Sequence, residues 1–210
     1  MTFDAGAETI EPVSPVPAGV DPAPAPMQDP SVSLEFILAP EDLPALARLP
    51  MLRRTGPGRP ARLIWYDDPE RSIAGHNLSL LRDGPIWQLD RLAPDTRHDW
   101  PACAVLPPVA RATEPASLAA AETVPLDNIP FDIIPVSAFD GRLRTYRADT
   151  VRVAILHGTI RGVVEIRPAC RLTLTGSQAD LATLLPVFAP LTLSVPRATL
   201  AAEAAAAARG

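Results

Sequence analysis

The sequence predicts an α+β protein: a closed antiparallel β-sheet with short flanking helices. Three observations predict it. Segments of alternating character recur along the chain, beginning with Val32, Leu34, Phe36 and Leu38 interleaved with Ser31, Ser33, Glu35 and Ile37, the period of a half-buried strand. Turn signals separate such segments, and Asp83-Gly84 is the strongest of them, a hairpin dipeptide. A strand–helix unit also recurs. Leu34-Glu35-Phe36 followed by Asp42-Leu43 and Leu46 is echoed by Leu172-Thr173-Leu174 followed by Asp180-Leu181 and Leu184. Two such halves point to a pseudo-symmetric closed sheet rather than a sandwich.

The elements follow in order. After the first strand, Pro40-Glu41-Asp42 starts a short helix carrying Leu43, Leu46 and Ala47, since proline suits a first helical turn. A glycine-proline loop at 56–60 leads to a strand over 62–66. Two strands flank Asp83-Gly84, with Trp87 and Leu89 anchoring the second. Prolines at 94, 101, 107, 108, 115 and 125 break up the next stretch, leaving a strand at 102–106 and one helical turn near 117–122. Strand patterns resume at 141–148, 150–157, 162–167 and 169–175. Ser177-x-x-Asp180 caps a helix whose apolar face is Leu181, Leu184, Leu185 and Phe188, and Pro186 should kink or shorten it. A last strand over 191–195 precedes an alanine-rich helix. The domain is expected over 31–200, and residues 201–210 are expected to form a helical tail, only weakly amphipathic, that frays.

Residues 1–30 are set apart. They hold seven prolines after position 10, five acids (Asp4, Glu8, Glu11, Asp21, Asp29) and no arginine. Such a stretch cannot bury enough surface to offset its ordering entropy, so a disordered acidic leader is expected. It accounts for the whole net charge of −5, and residues 31–210 balance at 19 arginines against 19 acids. Every basic residue is arginine, so no chemistry that requires a lysine side chain can occur here. No apolar run approaches the roughly 18–20 residues that span a bilayer. No secretory signal pattern is visible, so a cytoplasmic protein without membrane contact is expected.

Motif by motif, the usual enzyme signatures are missing. There is no phosphate-binding G-x-x-x-x-G-K-[ST] loop, no H-E-x-x-H and no G-x-S-x-G elbow. His76, His98 and His157 are isolated. Cys103 and Cys170 lack C-x-x-C spacing and read as small apolar strand residues. A charge-neutral fold with 5% aromatic residues argues against nucleic-acid binding.

In order, several segments resemble the CYTH domains, the triphosphate tunnel metalloenzymes. The opening strand with Leu38-Ala39-Pro40-Glu41-Asp42-Leu43 resembles the start of these domains. Trp65-Tyr66-Asp67-Asp68-Pro69 resembles their Tyr-Tyr-Asp-Thr-Pro type segment, and Gly75 with Leu78 to Gly84 and Trp87 resembles the hairpin after it. Residues 151–160 look like their late strand pair, and Cys170 to Gly176 with Pro190-Leu191-Thr192-Leu193 like their closing strand-helix-strand. The likeness spans about residues 32–200. It implies a closed eight-stranded tunnel in which a Glu-x-Glu-x-Lys strand and further glutamates hold Mg²⁺ or Mn²⁺, while lysines and arginines bind a triphosphate.

The family's catalytic letters are mostly replaced. Its opening triplet reads Ser31-x-Ser33-x-Glu35. Its late glutamate positions fall on Arg152 and Leu156, then Arg171, Thr173 and Thr175. Its paired arginines fall on Ser79 and Leu81, with Arg82 one residue off, and its closing Ser-Lys reads Pro196-Arg197. Hydroxyls and guanidinium groups in place of carboxylates invert the local field and suit anions rather than a divalent cation. The resemblance therefore implies a degenerate, non-catalytic member with no metal cofactor. It would be a binding or scaffold protein, with Glu35, Arg82, Arg91, Arg152, Arg171 and Arg197 as candidate contacts for a polyanionic small molecule. The plainer reading of each arginine is a strand-face charge paired with one of the fold's acids. The alternative is an active Mg²⁺- or Mn²⁺-dependent hydrolase of inorganic tripolyphosphate or an organic triphosphate. It requires a one-residue register slip, with Asp67, Asp68, Asp90, Asp149 and Glu165 supplying the metal.

Overall fold

The computed structural model describes residues 31–93, 103–105, 108–118 and 132–209. The expected leader, His98, and parts of the expected elements at 102–106 and 117–122 lie outside them. One antiparallel sheet organises the chain. Its strands are β1 (Val32–Leu38), β2 (Arg53–Arg54), β3 (Arg59–Asp67), β4 (Leu78–Asp83), β5 (Ile86–Arg91), β6 (Cys103–Ala104), β7 (Ala110–Ala112), β8 (Ile134–Ala148), β9 (Val151–Arg161), β10 (Ile166–Gly176) and β11 (Leu193–Ser194). Their order is β11-β1-β10-β9-β8-β3-β4-β5-β7, with β2 on β8 and β6 on β1. The helices are α1 (Leu43–Leu46), α2 (Ser72–Gly75), α3 (Gln178–Leu184) and α4 (Leu200–Arg209).

The expected closed eight-stranded sheet is corrected in two respects. Among the described residues there are eleven strands, and no ladder joins the two ends of the order. Residues 103–105 pair with β1 at one end, where Val105 N–H donates to Ser33 O, and Val109 N–H donates to Leu89 O on β5 at the other. Four peptide units connect these two bonds, so the edges lie within about 14 Å of one another. The intervening Pro107 and Pro108 have no N–H with which to extend a ladder.

The internal echo has a structural meaning: the two copies pair with each other. Leu34, Glu35 and Phe36 face Leu174, Thr173 and Leu172 across the β1–β10 ladder. Leu34, Phe36 and Leu38 then share the outer face with Leu172, Leu174, Val153 and Ile155, and α1 and α3 cover them with Leu43, Leu46, Leu181 and Leu184. Ser177 caps α3 as its spacing predicts, accepting from Asp180 N–H at 3.1 Å, and Pro186 ends the helix in a 3-10 turn. A second outer cluster, Leu78, Leu80 and Leu89, is covered by Ile73 of α2 and by Leu118.

Two expected strands, 162–167 and 169–175, are one strand entered from a turn. Pro168 sits within β10, opposite Thr159 of β9. It is tolerated because β1 pairs only with residues 171–176, so the other edge of β10 is unpaired by β1 there.

The C-terminal helix departs most from expectation. Instead of fraying, α4 lies on the inner face against Trp65, Leu81, Phe139, Ile160 and Ala169, with Ala201, Ala204, Ala207 and Ala208 buried. Alanine is both the best helix former and small enough for close approach. A Cβ on Gly162 would stand 2.0 Å from Ala207 O. Thr199 caps the helix start, accepting from Ala202 N–H while its hydroxyl donates to Leu92 O. At the other end the Arg71 guanidinium donates to Ala208 O at 3.0 Å, placing a cation at the helix C-terminus.

Candidate functional site

Alternate residues of a strand share a face, so the ladders define the inner face row by row. At one end Ser33, Thr175, Arg152 and Arg147 run across β1, β10, β9 and β8. Next come Glu35, Thr173, Ala154 and Thr145, and then Ile37, Arg171, Leu156, Leu143 and Arg59. The row after that is small: Ala169, Gly158, Gly141 and Ala61. Phe139 lies over the glycine pair, and a Cβ on either glycine would come within 2.7 Å of its Cζ. Here α4 begins to cover the face.

Three candidate contacts meet on this face. Arg171 is buried, 3% exposed, and is held between two carboxylates: Nη2 lies 2.6 Å from Glu203 of α4, and Nε lies 3.8 Å from Glu35. Burial raises the pKa of Glu35, Arg171 opposes that, and Glu203 adds to it. The Arg171 Nη1 atom has no hydrogen-bond partner. Arg152, the third, is exposed at the mouth.

Arg82 and Arg91 belong to the outer face. The Arg82 guanidinium stands 5.4 Å over Trp87, and its Nε donates to Gly84 O. Arg91 is exposed opposite Leu78. Arg197 is exposed in the segment before α4. The two faces of the sheet thus separate Arg82 and Arg91 from Glu35, Arg152 and Arg171.

The mouth has an anion's chemistry. A cavity of about 490 Å³ is lined there by Arg147 and Arg152, with hydroxyls from Ser31, Thr55, Thr145, Thr150 and Thr175; among the described residues no acid lines it, and Thr150 donates to Asp180 at 2.7 Å. Ser33 pairs with Thr175 at 2.8 Å and Thr55 donates to Thr145 at 2.7 Å, so the hydroxyls are held in place. Arg147 and Arg152 are register partners across the β8–β9 hairpin, whose turn residue Asp149 has φ 52°. The sequence reading missed Arg147, although its symmetric placement about Asp149-Thr150 was the available signal. It also missed Glu203, an acid within an alanine run whose partner lies 32 positions away.

The acids of the alternative reading do not converge. Asp67 and Asp68 hold α2: Asp67 accepts from the N–H groups of Asp68, Ile73 and Ala74, and Asp68 accepts from the N–H and hydroxyl of Ser72. Burial raises Asp67. It pushes Asp68 the same way, but the bonds from Ser72 outweigh it and the net shift is downward. Asp90 accepts from Gln88, and Glu165 pairs with Arg167. Among the described residues no three His, Cys, Asp or Glu side chains are placed to hold a metal ion. Glu35 and Glu203 face a guanidinium, so this donor set does not fit a divalent cation. Cys170 is buried, which pushes its thiol up to about 11 and leaves it inert.

No protein-family model matches the chain, and no curated protein matches its sequence. Solved structures do. A protein from Hippeastrum, described as an adenylyl cyclase with a dominant triphosphatase activity, is similar at TM-score 0.60 and 10% identity, over 84% of this chain and 95% of that one. Proteins described as adenylate cyclases from Vibrio parahaemolyticus (TM-score 0.39, 10% identity, 80% and 91% covered) and Bacillus halodurans (0.40, 10%, 78% and 90%) also match. The chain has the CYTH-type fold that its sequence segments resemble. No helix among the described residues is long and apolar enough to cross a membrane.

Proposed function

We propose that this chain is a CYTH-fold protein that does not hydrolyse triphosphates and instead binds small anions at the Arg147–Arg152 mouth. One contrast carries the reading: the inner carboxylates are spent on Arg171, while among the described residues the mouth is lined by two arginines and five hydroxyls and no acid, Asp180 reaching it only as the acceptor of the Thr150 hydroxyl. A guanidinium fork suits oxyanions, and fixed hydroxyls add donors without adding charge. A metal-assisted hydrolysis would need converging carboxylates at the place where Arg171 sits.

The test is phosphate release from tripolyphosphate with Mg²⁺ and then Mn²⁺, run beside a competent triphosphatase, together with the melting temperature. The expected outcome is no release and a melting temperature raised by tripolyphosphate, with the rise lost in the Arg147→Ala/Arg152→Ala double variant. Release that stops on adding chelator would overturn the proposal in favour of an active triphosphatase.

A further inference from the structure

The inner face changes character over a short distance. Moving inward from the mouth, β9 presents Arg152, Ala154 and Leu156, β8 presents Arg147, Thr145 and Leu143, and β10 presents Thr175 and Thr173. Each two-residue step advances about 6.6–6.8 Å, so roughly 13 Å separates the arginines from the leucines along a strand. Behind the mouth lies a second cavity of about 220 Å³, lined by Ala61, Leu63, Leu143, Ala154 and Leu156, with Thr173. Arg59 and Asp83, one of each sign, complete its lining. All five apolar residues are half-buried, with surface left to cover. Ala61, Leu63 and Leu156 also pack on the cluster that contains α4, so the helix closes the far end of this trough.

A bare polyphosphate suits the mouth and not the trough. With one phosphate between Arg147 and Arg152, a chain carried further inward would pass the row of Thr145 and Thr173 and then lose water against Leu143 and Leu156. Of the cations further in, Arg171 is already paired with Glu203 and Glu35, and Arg59 shares the trough's lining with Asp83. An aliphatic chain has the opposite preference and gains from burial there.

We propose that the two cavities form one site for an amphiphilic anion, a single phosphate or carboxylate head at Arg147 and Arg152 with an aliphatic tail along Leu63, Leu143 and Leu156. This rests on the anion-binding reading above and names its ligand class. The trough holds about seven water-sized groups, so it takes about seven or eight carbons of the tail beyond those that cross the threonine row from the head.

Binding of n-alkyl phosphates from ethyl to dodecyl, each below its micelle-forming concentration, tests this by calorimetry on the full chain. Affinity should rise about threefold to fourfold per methylene once the tail enters the trough and level off between octyl and dodecyl. Arg152→Ala should weaken every member by about tenfold, the loss of one charged hydrogen-bonding group. Leu156→Asn should flatten the dependence on chain length and leave ethyl phosphate within about twofold, because the substituted side chain lies beyond the head site. Ala154→Leu, which fills the trough instead of making it polar, should shorten the optimal tail. Octanoate run in parallel distinguishes a carboxylate head from a phosphate one. If tripolyphosphate binds while affinity is independent of tail length, the amphiphile inference falls and anion binding stands. If neither tripolyphosphate nor any alkyl phosphate binds, both fall.

Discussion

Glu35 is the one carboxylate on the inner face of the first strand, and its environment works against its charge. Burial raises its pKa, the Arg171 guanidinium at 3.8 Å only partly offsets this, and Glu203 takes the better bond to that guanidinium at 2.6 Å. An acid whose pKa is higher in the folded than in the unfolded state lowers stability once ionised. That loss develops as pH rises from the ordinary glutamate range through the raised folded value, and it is constant above. Glu35→Gln mimics the neutral form, so it should melt above the parent protein at pH 8. The difference should shrink on acidification and vanish below the ordinary glutamate range, as followed by thermal melts at several pH values. A melting temperature lower than the parent's at pH 8 would mean that Glu35 holds Arg171 more than burial penalises it. The placement of Glu35 was legible in the sequence, because strand alternation puts it on one face with Ser33. Its partnership with Glu203 was not, since nothing local brings a residue of the last helix to the first strand.

At the scale of elements, α4 shows where sequence periodicity misleads. Its nearly uniform alanines leave little contrast between faces, yet Ala204 and Ala207 are fully buried while Ala206 is exposed. What selects the face is the room left by the partner surface, at Gly162 above all, and a helix read alone does not contain that information. Ala204→Leu forces three extra carbons into a packed contact and should cost about 1–3 kcal/mol. Ala206→Leu should stay within about 0.5 kcal/mol. Chemical denaturation of the two variants measures both, and equal losses would mean that α4 is not docked on Trp65 and Phe139. Elements with capping and turn chemistry of their own were legible: Ser177 at α3, Gly84 at the β4–β5 hairpin with its φ of 59°, and Pro40 before α1. The four short strands of two or three residues, β2, β6, β7 and β11, carry too few residues to show a period. The expected strand over 191–195 accordingly shrinks to two residues.

For the molecule as a whole, the balance of charge decides how the mouth would act. Residues 31–210 carry as many arginines as acids and residues 1–30 add five acids, so no net positive charge draws an anion from afar, and attraction is confined to the groups around Arg147 and Arg152. Both arginines are exposed, and their pull is therefore screened as the Debye length contracts from about 10 Å at 0.1 M salt to about 3 Å at 1 M. The trough behind them gains by removing apolar surface from water, which salt at these strengths does not screen. The two contributions should separate in one titration. Between about 0.1 M and 1 M NaCl, the rise in melting temperature produced by tripolyphosphate should largely disappear. The ratio of octyl to ethyl phosphate affinities should hold within about twofold, because both ligands lose the same head-group attraction. A tripolyphosphate effect that survives high salt would place the anion deeper than the mouth, among groups shielded from solvent. Arg171 would then have to exchange Glu203 for phosphate, and α4 would have to leave the inner face to allow it.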